Sequence, residues 1–323
     1  PRLAISAVRN YLLRNGAPQD SITFIEIELL QPDDEFLLDY FTVNQFDIVG
    51  LSGVLSHCYL QVKRIAKIVR TASPDSIIVL GGHLSASANV VLNKTNVDFC
   101  ILGDGEVPFF EFVNAIRKHK GKVPENVKES INGLCYLDNF GDLCVNGYGK
   151  RPLAEQLALP DYDFFLTGLL DKPELVFEYF DRPEWTRQIV HDKRAQDESR
   201  RPNVASVPAS KGCVARCTFC HRGTKGYRTV DLEELEEHLI DIIDKYDVGY
   251  ISVLDENFGS NREHTRAFAD LMHKYDLIWQ AGGVRCTSFD EEDIKYCHDR
   301  GCSALQFGIE SGSNRILEMM EKN

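Results

Sequence analysis

Three cysteines, Cys213, Cys217 and Cys220, crowd into the stretch SKGCVARCTFCHRG between Ser210 and Gly223. Thiols separated by three and then two residues can serve metal chemistry, and three readings stand. A structural zinc site asks for four ligands, usually as two close pairs far apart, and no second pair of that kind follows. An iron–sulfur cluster held by three thiolates leaves one iron without a protein ligand, and that open corner can bind a substrate or cofactor. Three unligated core thiols would sit oddly in a loop so dense in Gly, Arg, Lys and His.

Other residues able to bind a ligand fall where apolar runs end. LDENF carries Asp255, Glu256 and Asn257, VRC carries Arg285 and Cys286, and GIESGS carries Glu310 and Ser311. A guanidinium such as Arg285 suits bidentate recognition of a carboxylate, although a surface ion pair accounts for it equally well. Asp255 and Glu256 could instead cap the helix that follows them. Nearer the N-terminus, apolar runs end in Ser52-Gly53-Val54, in Gly81-Gly82-His83 and in Gly103-Asp104-Gly105-Glu106. A glycine pair alone is weak evidence, since glycine closes buried strands in many α/β proteins. His57 and His83 stand near these loops, and a lone loop histidine is more often a polar surface residue. Arg222, Lys225 and Arg228, beside the cysteines, could hold an anionic substrate or simply face water. Cys58, Cys100, Cys135, Cys144, Cys297 and Cys302 lack tight ligand spacing and read as small core residues.

The elements that must position these residues alternate. SITFIEIEL reads as a strand, then FDIVGLSGV, SIIVLGG and VDFCILGDGE as strands separated by amphipathic helices. Such alternation implies a parallel sheet covered on both faces, with ligands outside the carboxyl ends of the strands. The rhythm breaks at about residues 122–202, where GLCYLDNFGDLCVNG reads as a hairpin around Asn139–Gly141 and the remainder as a connection. From Asn203 four βα units follow in succession, and their strand-end loops would share one face. The organisation expected is therefore residues 1–121, a hairpin and linker over 122–202, and residues 203–323. The chain opens on a helix with no strand before it and closes within another, as an excerpt of a longer polypeptide would.

Composition narrows the function classes. The chain has 323 residues, 43% hydrophobic and 26% charged, the balance of a globular protein with ample core. A net charge of −13 argues against wholesale nucleic-acid binding. There is no apolar run long enough for a membrane span, and ten scattered or clustered cysteines suit a reducing, cytoplasmic compartment.

The cysteine spacing, with Phe219 just before the last thiol and a strand just before the first, resembles the CxxxCxxC loop of the radical S-adenosylmethionine (SAM) enzymes. The S-x-L, G-G and GDGE-like loops upstream resemble cobalamin-binding domains, with Val54 in place of Leu as a mild departure. Together the pattern is similar to the cobalamin-binding radical SAM family. The resemblance implies an N-terminal Rossmann-like cobalamin-binding domain with a parallel sheet, followed by part of a TIM-type β/α barrel. It implies a 4Fe-4S cluster on Cys213, Cys217 and Cys220, and SAM contacts from Phe219, Asp255, Glu256, Asn257, Arg285, Glu310 and Ser311, though the family's Gly-Gly-Glu is absent. It places cobalamin on Ser52, Gly53, Val54, Gly81, Gly82, His83, Gly103, Asp104, Gly105 and Glu106. The D-x-H-x-x-G segment of cobalamin proteins has no counterpart, since AISAVRN (Ala4 to Asn10) stands in its region without Asp, His or Gly.

The reaction implied is methyl transfer to an unactivated carbon, or to phosphorus, through a 5′-deoxyadenosyl radical and methylcobalamin. Non-methylating rearrangement or oxidative cyclisation is the alternative within the same architecture, and a sensor without turnover the alternative outside it. A methylthiotransferase fits less well, because that family's first domain carries its own cysteine triad. A small-molecule or peptide substrate is implied, with flavodoxin or ferredoxin as reductant.

Overall fold

Apolar runs that stop at small residues become the strands of two separate units. The computed structural model describes residues 2–54, 56–180, 191–220 and 226–322. One unit comprises Arg2–Pro152 with Thr167–Leu170, the other Leu153–Leu166 with Asp171–Asn323.

The first unit runs α1 (Leu3–Arg14), α2 (Ile27–Leu30), α3 (Asp34–Val43), β1 (Ile48–Ser52), α4 (Tyr59–Ala72), β2 (Ile77–Gly81), α5 (Ala88–Lys94), β3 (Phe99–Ile101), α6 (Glu106–Lys118), α7 (Glu125–Ser130), β4 (Leu134–Leu137) and β5 (Leu143–Val145). Its sheet has the order β1-β2-β3-β4-β5, the first three strands parallel and the hairpin β4–β5 antiparallel. Alternate residues of β2 explain its unbroken hydrophobicity. Ile78 and Leu80 pack with Leu37, Phe41, Val62, Ile65 and Val91 on one side, and Val79 packs with Ile101, Phe112, Ile116 and Tyr136 on the other. Both faces are covered, as a parallel sheet requires.

Three features differ from the sequence expectation. SITFIEIEL forms no strand. Residues 22–26 run without regular structure, with Phe24 and Glu26 buried, before the chain turns into α2, and Glu26 donates its N–H to the carbonyl of Gly168 (2.9 Å) rather than to a sheet neighbour. The buried Glu26 carboxylate is forked by Arg2, with Nε at 2.7 Å and Nη2 at 2.9 Å. Helix α3 was not anticipated; Asp33 caps it by accepting the Phe36 N–H (2.8 Å), and Leu37 and Phe41 bury one stripe. The hairpin, grouped above with the connection, extends the first sheet through the pairing of Cys100 with Cys135.

In the second unit the connecting stretch holds α8 (Tyr162–Thr167) and short turns of 3₁₀ helix. It lays Tyr162 and Phe180 against each other (4.6 Å between centroids), and Phe180 stacks on Tyr246 (4.2 Å). There follow β6 (Asn203–Val207), β7 (Ser210–Cys213), β8 (Gly226–Thr229), α9 (Leu232–Tyr246), β9 (Val248–Val253), α10 (Arg262–Lys274), β10 (Ile278–Arg285), α11 (Glu291–His298), β11 (Cys302–Gly308) and α12 (Asn314–Met319). Strands β6, β9, β10 and β11 are parallel and adjacent in chain order, the arrangement of successive βα units in a barrel. On one side of this sheet Val204, Tyr250 and Ile278 close around Ala195. Trp279, one position on from Ile278, meets Phe258 of the turn after β9 at 5.6 Å and Phe268 of α10 at 5.4 Å.

Among the described residues, no helix is long and apolar enough to cross a membrane.

Candidate functional site

Because the four strands of the second unit are parallel, the loops that follow them leave from one edge of the sheet. The cysteine segment follows β6, Asp255, Glu256 and Asn257 follow β9, Arg285 and Cys286 end β10, and Glu310 and Ser311 follow β11.

The cysteine segment is not a free loop. Its ends pair as the antiparallel ribbon β7–β8, from Ser210 opposite Thr229 to Cys213 opposite Gly226. The ribbon was not foreseen, although Pro208 and Gly212 mark its start and its bend. Cys213 lies at the ribbon's tip and its sulfur accepts the Ala215 N–H at 3.4 Å. Cys217 is buried and Cys220 exposed, the Cys220 N–H reaching the Cys217 carbonyl at 3.3 Å. Arg222 and Lys225 lie outside the described residues, and Arg228 sits on β8.

Among the described residues, no three Cys, His, Asp or Glu side chains gather as a mononuclear metal site requires. Three thiolates bound to three irons of a cube would leave the fourth iron without a protein ligand.

Asp255 is buried and accepts three hydrogen bonds. One carboxylate oxygen accepts the N–H groups of Ala209 and Ser210, both at 2.8 Å, and the other accepts the Ser210 hydroxyl at 2.5 Å. Burial pushes its pKa up to about 6 against the lowering effect of those donors. Neither Asp255 nor Glu256 caps α10; Asn261 does, accepting the His264 N–H at 3.1 Å. Glu256 is exposed. Asn257 is wholly buried, its Nδ2 donating to Ser260 (2.5 Å) while its Oδ1 has no partner. An orphaned buried acceptor at a strand end fits an incoming ammonium or other donor.

Backbone closes this loop from the side of β10. Gly283 has φ +67°, and a β-carbon there would meet the carbonyls of Asp255 and Glu256 at 2.8 Å. The register slips between Ala281 and Val284, a bulge that the Gly282–Gly283 pair inside an otherwise strand-like run could have signalled. Arg285 is partly buried, and exposed Cys286 points its thiol at the Gly308 carbonyl from 3.7 Å. Glu310 adopts φ +53° and pairs with Lys322, whose Nζ also lies 6.0 Å from the Phe219 ring. Ser311 stays beside it, holding the Ser313 N–H at 3.1 Å. Lys322 was not singled out, since nothing local in the sequence ties it to Glu310.

The first unit gathers its three loops at the ends of β1, β2 and β3. The Gly53 N–H donates to the Gly81 carbonyl and the Leu84 N–H to the Gly53 carbonyl, each at 2.9 Å. Gly82, at φ +87°, backs onto Gly53, whereas a β-carbon on Gly81 would meet nothing within 4 Å. Ser52, Val54 and His83 are exposed around that open space, and His57 with them. An uncovered backbone between two such loops is a cradle that a flat ligand could fill. Gly103, at φ +84°, turns the chain into a buried Asp104, Gly105 and the buried Glu106 that opens α6. The hairpin supports this turn, Leu102 exchanging bonds with Gly133 (2.8 Å) and Gly149 (3.2 Å).

Known proteins divide the chain in the same sense. Residues 3–113 match the B12 binding domain, and residues 207–323 match the Radical SAM superfamily. A cytidylyl-2-hydroxyethylphosphonate methyltransferase from Streptomyces wedmorensis is 22% identical over 85% of the chain and 52% of its own length. The chain spans about half the length of curated relatives that it matches, 52% and 54% for two of them. Among solved structures, the cobalamin-dependent SAM radical enzyme OxsB, with aqua-cobalamin and S-adenosylmethionine bound, superposes over 100% of this chain and 43% of its own (TM-score 0.72, 18% identity). The radical SAM methyltransferase TsrM of Kitasatospora setae, with cobalamin and a [4Fe-4S] cluster, covers 98% of this chain and 57% of its own (TM-score 0.69, 15% identity). These likenesses establish the fold.

Proposed function

We propose, for a chain in which a B12 binding domain precedes a domain of the Radical SAM superfamily, that it is the cofactor-holding part of a cobalamin-dependent radical SAM methyltransferase. The observation that carries this reading is the cysteine ribbon. Cys213, Cys217 and Cys220 follow β6 at the edge of a parallel βα sheet, on a segment that begins at the β7–β8 ribbon.

In this reading Cys213, Cys217 and Cys220 hold a 4Fe-4S cluster, and the open edge beside them receives SAM. Bound there, the cluster supplies the electron that cleaves SAM reductively, and cobalamin on the first unit carries the methyl group. The chain's own residues orient and exclude. Asn257 offers its orphaned oxygen to the methionine ammonium, Arg285 the guanidinium suited to the carboxylate, and Phe219 an apolar face beside the adenine. Glu310 and Ser311 complete the contact at β11, Glu310 by exchanging its Lys322 partner. In the first unit Ser52, Gly81 and His83 line the uncovered backbone, and α1 provides no lower histidine for cobalt. A flavodoxin or ferredoxin supplies electrons, and a reducing cytoplasm keeps the free thiols available.

The test uses the full-length protein, reconstituted anaerobically, with SAM labelled in its methyl group and small-molecule extract from a deletion strain. A metabolite that gains one labelled methyl is the expected result. Formation of 5′-deoxyadenosine with a product that loses hydrogens or gains oxygen, and no labelled methyl, would overturn methyl transfer.

A further inference from the structure

We infer that Asp255 is a positioning residue for the cysteine ribbon, clamping the point where the chain leaves β6 and turns toward Cys213. The inference extends the proposed function, but its first readout does not depend on it.

Between Val207, where β6 ends, and Ser210, where β7 begins, the chain must change direction, and Pro208 has no N–H to help. The N–H groups of Ala209 and Ser210 therefore leave the β6 ladder with no strand partner. A single carboxylate oxygen of Asp255 takes both at 2.8 Å, and its second oxygen takes the Ser210 hydroxyl. Just before it, Leu254 donates its N–H to the Val207 carbonyl (3.0 Å), so the ladder passes directly into this side-chain clamp. The far side of the ribbon is tied by Val230, whose N–H meets the Ala209 carbonyl at 3.0 Å. The main chain of Asp255 lies so near Gly283 of β10 that a β-carbon there would meet the Asp255 carbonyl at 2.8 Å.

A buried acidic side chain whose two oxygens already accept three bonds from one dipeptide is poorly placed to turn toward a cofactor amine. Its work is geometric. It sets the origin of the segment carrying Cys213, as a supporting hydrogen bond orients a metal-ligating side chain. A charge-assisted bond to two amides is about twice as strong as a neutral one, so a neutral isostere loosens the clamp without removing it.

The experiment compares full-length wild type, Asp255→Asn and Ser210→Ala. In the metal-free proteins, hydrogen exchange of the 209–213 amides should quicken about tenfold in Asp255→Asn and only about threefold in Ser210→Ala, with the helices α9 and α10 unchanged. After anaerobic reconstitution, iron loss to a chelator should accelerate severalfold in Asp255→Asn, while SAM affinity of the remaining intact cluster stays within about twofold. Unchanged exchange at 209–213 in Asp255→Asn overturns the inference, as does lost SAM affinity with exchange intact, which would make Asp255 a direct contact. If Asp255→Asn fails to fold, Ser210→Ala decides by the same exchange readout. If wild type assembles no cluster, the proposed function fails while the exchange comparison still judges the clamp.

Discussion

A β-carbon on Gly82 would stand 2.5 Å from the carbonyl oxygen of Gly53, so the loops after β1 and β2 touch backbone to backbone at these two glycines. The neighbouring Gly81 faces open space instead. The pair separates packing from ligand contact. Gly82→Ala, which must also hold φ +87°, is expected to cost about 2 kcal/mol or more and to lower the melting temperature of the cofactor-free protein. Gly81→Ala should leave that temperature unchanged within error and yet release cobalamin on gel filtration. Cobalamin retained by Gly81→Ala would remove the cradle from the first unit.

Two buried titrating groups act in opposite senses on stability. Burial holds the His238 imidazole down at about 4, its ring against Tyr162 and its Nε2 without a partner. The unfolded chain therefore takes up that proton first, and stability is lost as pH falls from about 6.5 to about 4. Asp255, raised to about 6, does the reverse: the folded state holds its proton longer, so stability falls as pH rises from about 4 to about 6. Each contribution is on the order of 2 kcal/mol, and in the wild type they largely offset. Denaturant unfolding at pH 4.5 and 7 should show His238→Phe more stable, relative to wild type, at the lower pH. Asp255→Asn should be relatively more stable at the higher pH, and parallel behaviour of the two variants would contradict this assignment.

Trp279 anchors the helical layer of the second unit. It is wholly buried, contacts Phe258 and Phe268, and donates its indole N–H to the Arg300 carbonyl at 2.9 Å. Trp279→Ala should cost about 3–5 kcal/mol, read by denaturant unfolding, and Trp279→Phe about half of that. A loss below 1 kcal/mol for the alanine variant would mean that this layer contributes little to the unit.

Much of this was legible in the chain because local patterns carried it. Apolar runs closing at Ser52, Gly81 and Gly103 located the loops of the first sheet, and the run VASVPAS before the cysteines located the strand they follow. The failures came where a pattern does not name its partner. Alternation in SITFIEIEL signals one buried side, but the partner of Glu26 is Gly168, far along the chain, and no strand lies beside it. The position of Asp255 after β9 is legible, while its engagement with Ala209 and Ser210, 46 and 45 residues away, is not. Lys322 was overlooked for the same reason. Strand ends can be read from sequence, whereas which polar groups have already satisfied each other there cannot.

If three thiolates hold an iron–sulfur cube, losing Cys217, the buried member of the trio, should dismantle it. Wild-type and Cys217→Ala full-length proteins would be reconstituted anaerobically and assayed for bound iron and sulfide, with electron paramagnetic resonance after reduction. About four irons per chain and a reduced-cluster signal are expected for wild type, with both largely lost in the variant. A variant that keeps the full iron content and cleaves SAM at the wild-type rate would contradict the account.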